Sequence, residues 1–117
     1  MNNIKRFQMS ESKIDSFFGE IKENLSISLN KLLTHGDSKP KYDANIVVAE
    51  ILKYIKNDIQ IVTQDNRYEE YYRLTGKAVT IAEAWLKNYS QEVKHFENTE
   101  SSINEYISKT YGKKSHS

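Results

Sequence analysis

Apolar side chains recur every three or four positions along most of this chain, and the rhythm breaks at only a few places. Ile14, Phe18, Ile21, Leu25, Leu29 and Leu32 form a first stripe, widened by Phe17 and Leu33, which is the spacing of an amphipathic helix laid against a core. Ser10 or Ser12 is placed to cap its start, and Gly36 supplies a residue that tolerates a left-handed conformation past its end. These signals predict a helix over residues 11–34. Pro40, the only proline, disfavours helical backbone at Lys39 and presets a turn. Asp43 then serves as N-cap for a second stripe of Ala44, Val48, Ile51, Ile55, Ile59 and Val62, flanked by Val47, Leu52 and Ile61. A strand is disfavoured for this run, because Glu50, Lys53 and Lys56 fall on one helical side rather than alternating. The expected helix covers 43–62, and the width of its apolar face predicts a central position touching more than one neighbour.

After a turn at Thr63–Asn66, the residues Tyr71, Thr75, Ala78, Ala82, Trp85, Tyr89, Val93 and Phe96 keep the same rhythm. One long helix over 67–97 is expected, about 45 Å at ~1.5 Å per residue. Gly76 weakens its interior by about 1 kcal/mol, and Thr80-x-x-Glu83 offers a capping box for a fresh start; the unbroken helix is the preferred reading. The small residues Thr75, Gly76, Ala78 and Ala82 would admit another helix at close range. Finally Thr99, or Asn98, caps a short helix over 100–111 carrying Ile103, Tyr106 and Ile107 and closed by Gly112, with a frayed tail over 112–117. The expectation is an all-α fold: a small four-helix bundle with one long third helix and a short C-terminal helix, in a single domain of 117 residues.

Composition narrows the function mainly by exclusion. Seventeen Lys and Arg face sixteen Asp and Glu, a net charge of +1, and the charges are spread evenly. Neither a nucleic-acid partner nor an anionic membrane is therefore expected. The chain has no cysteine, which removes disulfides, thiolate nucleophiles and Cys-ligated zinc. The stretch MNNIKRFQMSESK lacks a signal-type apolar run, and nothing approaches a membrane span, so a cytoplasmic protein is expected. His35, His95 and His116 have no second ligand at helical spacing, so no metal or other cofactor is expected. Asp65, Glu69 and Glu70 sit where a helix N-terminus already favours acids, and Glu69–Arg73 has the order of an ordinary i,i+4 ion pair. No serine has a companion base and no phosphate-binding loop occurs, so an enzyme is not expected.

The segment NRYEEYYRL differs from these, because Tyr and Arg are the side chains that interface hot spots favour. Asp65, Arg67, Tyr68, Glu69, Tyr72 and Arg73 are the candidate contact residues, and tyrosines merely filling a helix flank are the plain alternative.

Two patches carry a family likeness. Pro40-x-Tyr42 followed by Leu52-x-Tyr54-Ile55-Lys56, and Ser90-x-x-Val93-Lys94-x-Phe96-Glu97-x-Thr99-Glu100 followed by Ile103, Ile107 and Tyr111, resemble the helical immunity proteins of interbacterial NAD(P)+ glycohydrolase toxins of type VI secretion and contact-dependent inhibition systems. The patches cover about a third of the chain and leave residues 67–80 unmatched. The resemblance implies a non-enzymatic protein that binds the C-terminal domain of a cognate toxin and occludes its active site. The rival reading is a phage- or plasmid-encoded helical adaptor that inhibits a host defence protein. A small transcriptional regulator is less favoured, because no helix-turn-helix with a basic second helix appears.

Overall fold

A computed structural model describes residues 11–34, 41–59, 65–93 and 96–112. Among the described residues four α-helices follow in order: α1 (Glu11–Thr34), α2 (Ala44–Asn57), α3 (Arg67–Asn88) and α4 (Thr99–Thr110), with short 3-10 turns at Ser90–Glu92 and Phe96–Asn98. No strand occurs among the described residues, and the fold is all-α. Pro40, Gly36, the three histidines, the segment 60–64 and the tail beyond Gly112 lie outside the described residues.

Of the stripe predicted for the first helix, Phe18, Ile21, Leu25 and Leu29 are in the core together with the flanking Phe17 and Leu33, while Ile14 and Leu32 are only partly buried. In α2 the buried set Val47, Val48, Ile51, Leu52 and Ile55 covers two adjoining sides, and the helix packs against α1, α3 and α4. Its wide apolar face is thus used by three neighbours. The bundle measures 52 × 32 × 19 Å. At about 10–12 Å per helix it is roughly two helices deep, so the seams between neighbours reach the surface.

Two residues ahead of α2 join the whole bundle. Tyr42 is buried at 7% exposure; its hydroxyl donates to the Leu33 carbonyl at the end of α1, and its ring meets Trp85 of α3 edge-on at 5.1 Å. A terminal helix carbonyl, which has no partner within its own helix, is satisfied in this way. The neighbouring Asp43 accepts the Asn45 backbone N–H at 3.0 Å with its side chain, as the predicted N-cap, and donates its own N–H to the Thr99 hydroxyl of α4 at 3.0 Å.

Three helix ends differ from the sequence expectation. The second helix stops at Asn57 rather than near 62: the N–H groups of Asp58 and Ile59 turn back to the carbonyls of Ile55 and Lys56 in a tight last turn. The Asp58 carbonyl then accepts from Arg73 of α3, a tertiary bond that no local pattern announces. The long third helix stops at Asn88, not 97. Asn88 and Ser90 donate their side chains to the carbonyls of Ala84 and Leu86 at 3.0 and 2.6 Å, competing with the backbone ladder. Tighter bonds follow from Glu92 to Tyr89 and from Val93 to Ser90. The chain turns there, and Val93 is buried at 2% in extended conformation. The last helix begins at Thr99, one residue early; of the two expected caps Asn98 holds the N-cap position, without a side-chain cap bond, and Thr99 is fully buried with its hydroxyl committed to Asp43. At the other end Tyr111 closes α4 through bonds to Ile107 and Ser108, and Gly112 does not take the left-handed conformation.

Gly76 leaves α3 unbroken, and Thr80 and Glu83 lie inside the helix. A Cβ built at Gly76 meets nothing within 4 Å. Gly76→Ala is therefore expected to stabilise the protein by about 0.5–1 kcal/mol, the ordinary gain of alanine over glycine in a helix interior. A raised urea midpoint with unchanged slope would show it; a lowered midpoint would mean that the backbone there needs glycine.

Candidate interaction site

The six candidate residues start one face of α3 and the turn before it, but the structure sorts them into different environments. Tyr68 and Tyr72, one helical turn apart, are 72% and 69% exposed. Asp65 and Glu69 are exposed as well. Arg67 turns toward α1, donating to Glu20 at 2.8 Å with its guanidinium 5.9 Å from the Phe17 ring centre. Arg73 turns the other way, toward α2. The expected Glu69–Arg73 pair gives way to a fork on Glu70, with bonds of 2.8 and 2.7 Å to its two carboxylate oxygens.

Arg73 is the centre of an ionic brace. Besides Glu70, which is only 6% exposed, it reaches the Asp58 carboxylate at 3.0 Å and the Asp58 carbonyl at 2.8 Å. Lys77, one turn further on, holds the same Asp58 carboxylate at 3.0 Å and lies 5.3 Å from the ring centres of both Tyr54 and Tyr111. The brace thus locks α3 to the end of α2 and touches α4. Among the described residues, every buried side-chain nitrogen and oxygen has a hydrogen-bond partner.

Burial alone would raise the pKa of Asp58, but the hydrogen bonds from Lys77 and Arg73, and their charges, outweigh it and hold the carboxylate below its ordinary value of 3.8. For Lys77, burial acts to lower the pKa, and the bond to Asp58 and its charge, with a further contribution from Tyr54, reverse the sign and raise it above 10.5. A depressed carboxylate pKa stabilises the fold above the unfolded value and loses that contribution as pH falls through the folded one; the raised lysine contributes below its unfolded value and loses it as pH rises through the folded one. Stability should therefore fall on acidification below about pH 4 and again in strong alkali above about pH 10. In Asp58→Asn the protein should be weaker at neutral pH and its acid loss shallower, read as urea midpoints against pH. Parallel curves for the variant and the parent would remove Asp58 from this role.

Between α1 and α3 lies an open groove of about 490 Å³, walled by Asn24, Leu25 and Ser28 on one side and Tyr71, Thr75, Gly76 and Val79 on the other. Of the small series seen in the sequence, Ala78 and Ala82 are fully buried in the core, while Thr75 and Gly76 line this groove. Tyr71 is pinned by the Asn24 amide and by an edge contact with Phe17 at 6.5 Å. The exposed Tyr72 stands edge-on to it at 5.6 Å. The aromatic pair Tyr68 and Tyr72 is thus mounted on a helix held to α1 by Arg67 and to α2 by Arg73.

Sequence reasoning passed over Asp58 as the shared partner of Arg73 and Lys77, because pairs 15 and 19 residues apart carry no local signature, and it paired Arg73 with Glu69 at i,i+4 where the fold uses Glu70 at i,i+3. It also passed over Ile27, which is 59% exposed; the signal available was an isoleucine lying off the stripe of its own helix. Among the described residues no group of three His, Cys, Asp or Glu is placed to hold a metal ion, and no helix is long and apolar enough to cross a membrane. No protein-family model, no curated protein and no solved structure matches this chain.

Proposed function

We propose that this chain works by binding another protein through the Tyr68 and Tyr72 face of α3, and that its partner is the C-terminal domain of a cognate antibacterial toxin. On this reading it is an immunity protein of the cytoplasm, without catalytic activity of its own, that covers the toxin's active site. An NAD(P)+ glycohydrolase domain is the target that the family likeness favours, and blocking its dinucleotide cleft would require no nucleotide bound by this chain. The observation that carries the reading is the pair of tyrosines, 72% and 69% exposed, one turn apart on a braced helix. Rigid aromatic side chains with a polar tip bring large contact area at low entropic loss. Asp65 and Glu69 beside them provide charge that can steer an encounter with a basic partner surface.

The test is calorimetric titration of the protein with the toxin domain encoded by the neighbouring gene, produced in a catalytically dead form. One-to-one binding with a nanomolar dissociation constant is expected. Tyr68→Ala with Tyr72→Ala should weaken it by about tenfold to a hundredfold without changing helicity. No heat and no co-elution would overturn the immunity reading and turn attention to host defence proteins. Full affinity in the double variant would move the interface elsewhere.

A further inference from the structure

On the opposite flank of α1 from the tyrosine face runs a second groove, of about 430 Å³, between α1 and α2. Its floor is apolar: Phe18, Val48, Ala49 and Leu52, of which Phe18, Val48 and Leu52 are core residues showing only an edge. Three lysines rim it, Lys22 from α1 and Lys53 and Lys56 from α2, and no acidic side chain lines it. Lys56 lies over the Phe18 ring at 5.6 Å and 4.0 Å from Asp15, which fixes α1 and α2 as antiparallel neighbours at that end. Ser26, Asn30 and Asn45 complete the lining toward the other end without net charge.

We infer that this α1–α2 groove is a docking site for an amphipathic helix of a partner protein that carries acidic residues beside its apolar stripe. The length fits: from Phe18 to Asn30, and from Asn45 to Lys56, the walls run about 17 Å, or three helical turns. The floor offers shallow apolar contact at helical spacing, with the exposed Ala49 between the edges of Val48 and Leu52, one turn apart, to meet anchors spaced at i, i+3 and i+7. Charge selects the occupant. Lys53 is 68% exposed and Lys56 53% exposed, and their carboxylate neighbours Glu50 and Asp15 lie outside the lining. Lys22 has no carboxylate within ion-pair distance among the described residues. Three lysines against the two carboxylates that pair with Lys53 and Lys56 leave an excess of one positive charge, on Lys22, at one end of the trough, which an acidic side chain of a guest helix would neutralise. Nucleic acid is the weaker fit, because it needs cations tracking a backbone over a long path, and here they are gathered at one end of an apolar floor. The groove shares no residue with the α1–α3 groove beside the tyrosines, so this site stands independently of the toxin reading.

The test uses the full chain and a fluorescein-labelled peptide of about 14 residues, with leucines at i, i+3 and i+7 and glutamates flanking them. A lysine-flanked version, a scrambled glutamate version and a single-stranded DNA oligonucleotide are the comparators. Saturable anisotropy change is expected for the glutamate helix, about tenfold or more tighter than for any comparator and weakening as salt is raised. Backbone amide shifts should map to the α1–α2 groove. Ala49→Trp, which fills the trough from an exposed position, should abolish binding, and Lys22→Glu with Lys53→Glu should transfer preference to the lysine-flanked peptide. The Tyr68→Ala and Tyr72→Ala double variant should bind as the parent does, which separates this site from the tyrosine face. Equal binding of the scrambled peptide, tighter binding of DNA, shifts on the α3 face, or no saturable binding would each overturn the proposal.

Discussion

Trp85→Ala is expected to remove about 3–5 kcal/mol, the ordinary loss for truncating a buried aromatic, and so a large share of the stability of a domain whose total is about 5–15 kcal/mol. The single tryptophan of the chain is fully buried, and its loss acts at several contacts at once. Its ring is the surface on which Tyr42 rests edge-on at 5.1 Å, and Tyr42 carries the link back to the end of α1. Its indole N–H donates to the Ser102 hydroxyl of α4 at 3.0 Å. Truncation therefore leaves a cavity where α3, α4 and the Tyr42 bend ahead of α2 converge, and Tyr42 cannot slide into it without giving up the Leu33 carbonyl. Trp85→Phe keeps much of the ring and loses the bond to Ser102, for an expected loss of about 1–2 kcal/mol. Urea unfolding followed by circular dichroism at the helical band separates the cases. A Trp85→Ala midpoint within about 0.5 kcal/mol of the parent would mean that Trp85 is not where these elements are joined.

Arg73→Ala is expected to cost about 2–4 kcal/mol, near the lower end of what breaking a buried ion pair costs, because the Arg73 side chain is 33% exposed. The loss lies less in the attraction removed than in what is left behind. The Glu70 carboxylate, 6% exposed, would lose the guanidinium fork that compensates its burial, and the Asp58 carbonyl at the end of α2 would lose its Arg73 donor. Arg73→Lys should recover only a small part, since one ammonium cannot reproduce two parallel bonds to Glu70 while also reaching Asp58. Arg73→Ala combined with Glu70→Gln should be more stable than Arg73→Ala alone, because the buried carboxylate that faced the guanidinium is replaced by a neutral amide. Equal stability of the single and double variants would refute the brace as described. Tyr68 and Tyr72 point away from this network, so partner binding measured well below the unfolding transition should fall much less than stability does.

The opposite uses of Arg67 and Arg73 on one side, and Tyr68 and Tyr72 on the other, explain why the candidate site was only partly legible in the chain. An i,i+4 spacing places Tyr68 and Tyr72 on one flank of a helix whatever surrounds it, and the buried Ala78, Ala82 and Trp85 could be read from periodicity, whereas the fully buried Leu74 and Ile81 lie off the expected stripe, whose Tyr71 and Thr75 are only partly buried. Arg73 looks the same in sequence as an exposed interface arginine. Its commitment to Glu70 and Asp58 depends on where the end of α2 lies against α3. Glu20, reached by Arg67 from 47 residues away, is likewise invisible to any local rule.

The existence and type of the four helices were determined by the sequence alone, because a 3.6-residue apolar period and an Asp43 cap are local physics that tertiary packing here only confirms. The same pattern also determined the central place of α2, since only contact with several neighbours can bury an apolar face that wide. The end of α2 was decided by the tertiary structure: the apolar rhythm continues through Ile59, yet Arg73, 15 residues on, claims the carbonyl of Asp58. The end of α3 is set by local partners that the apolar rhythm through Val93 hides, since the side chains of Asn88 and Ser90 take carbonyls four residues back. A helix persists where its own ladder is the best set of partners on offer, and it stops where the folded chain supplies better ones. Thr99 shows the same division. In sequence it reads as a helix cap, and in the fold it is a buried hydroxyl holding the backbone of Asp43, 56 residues away.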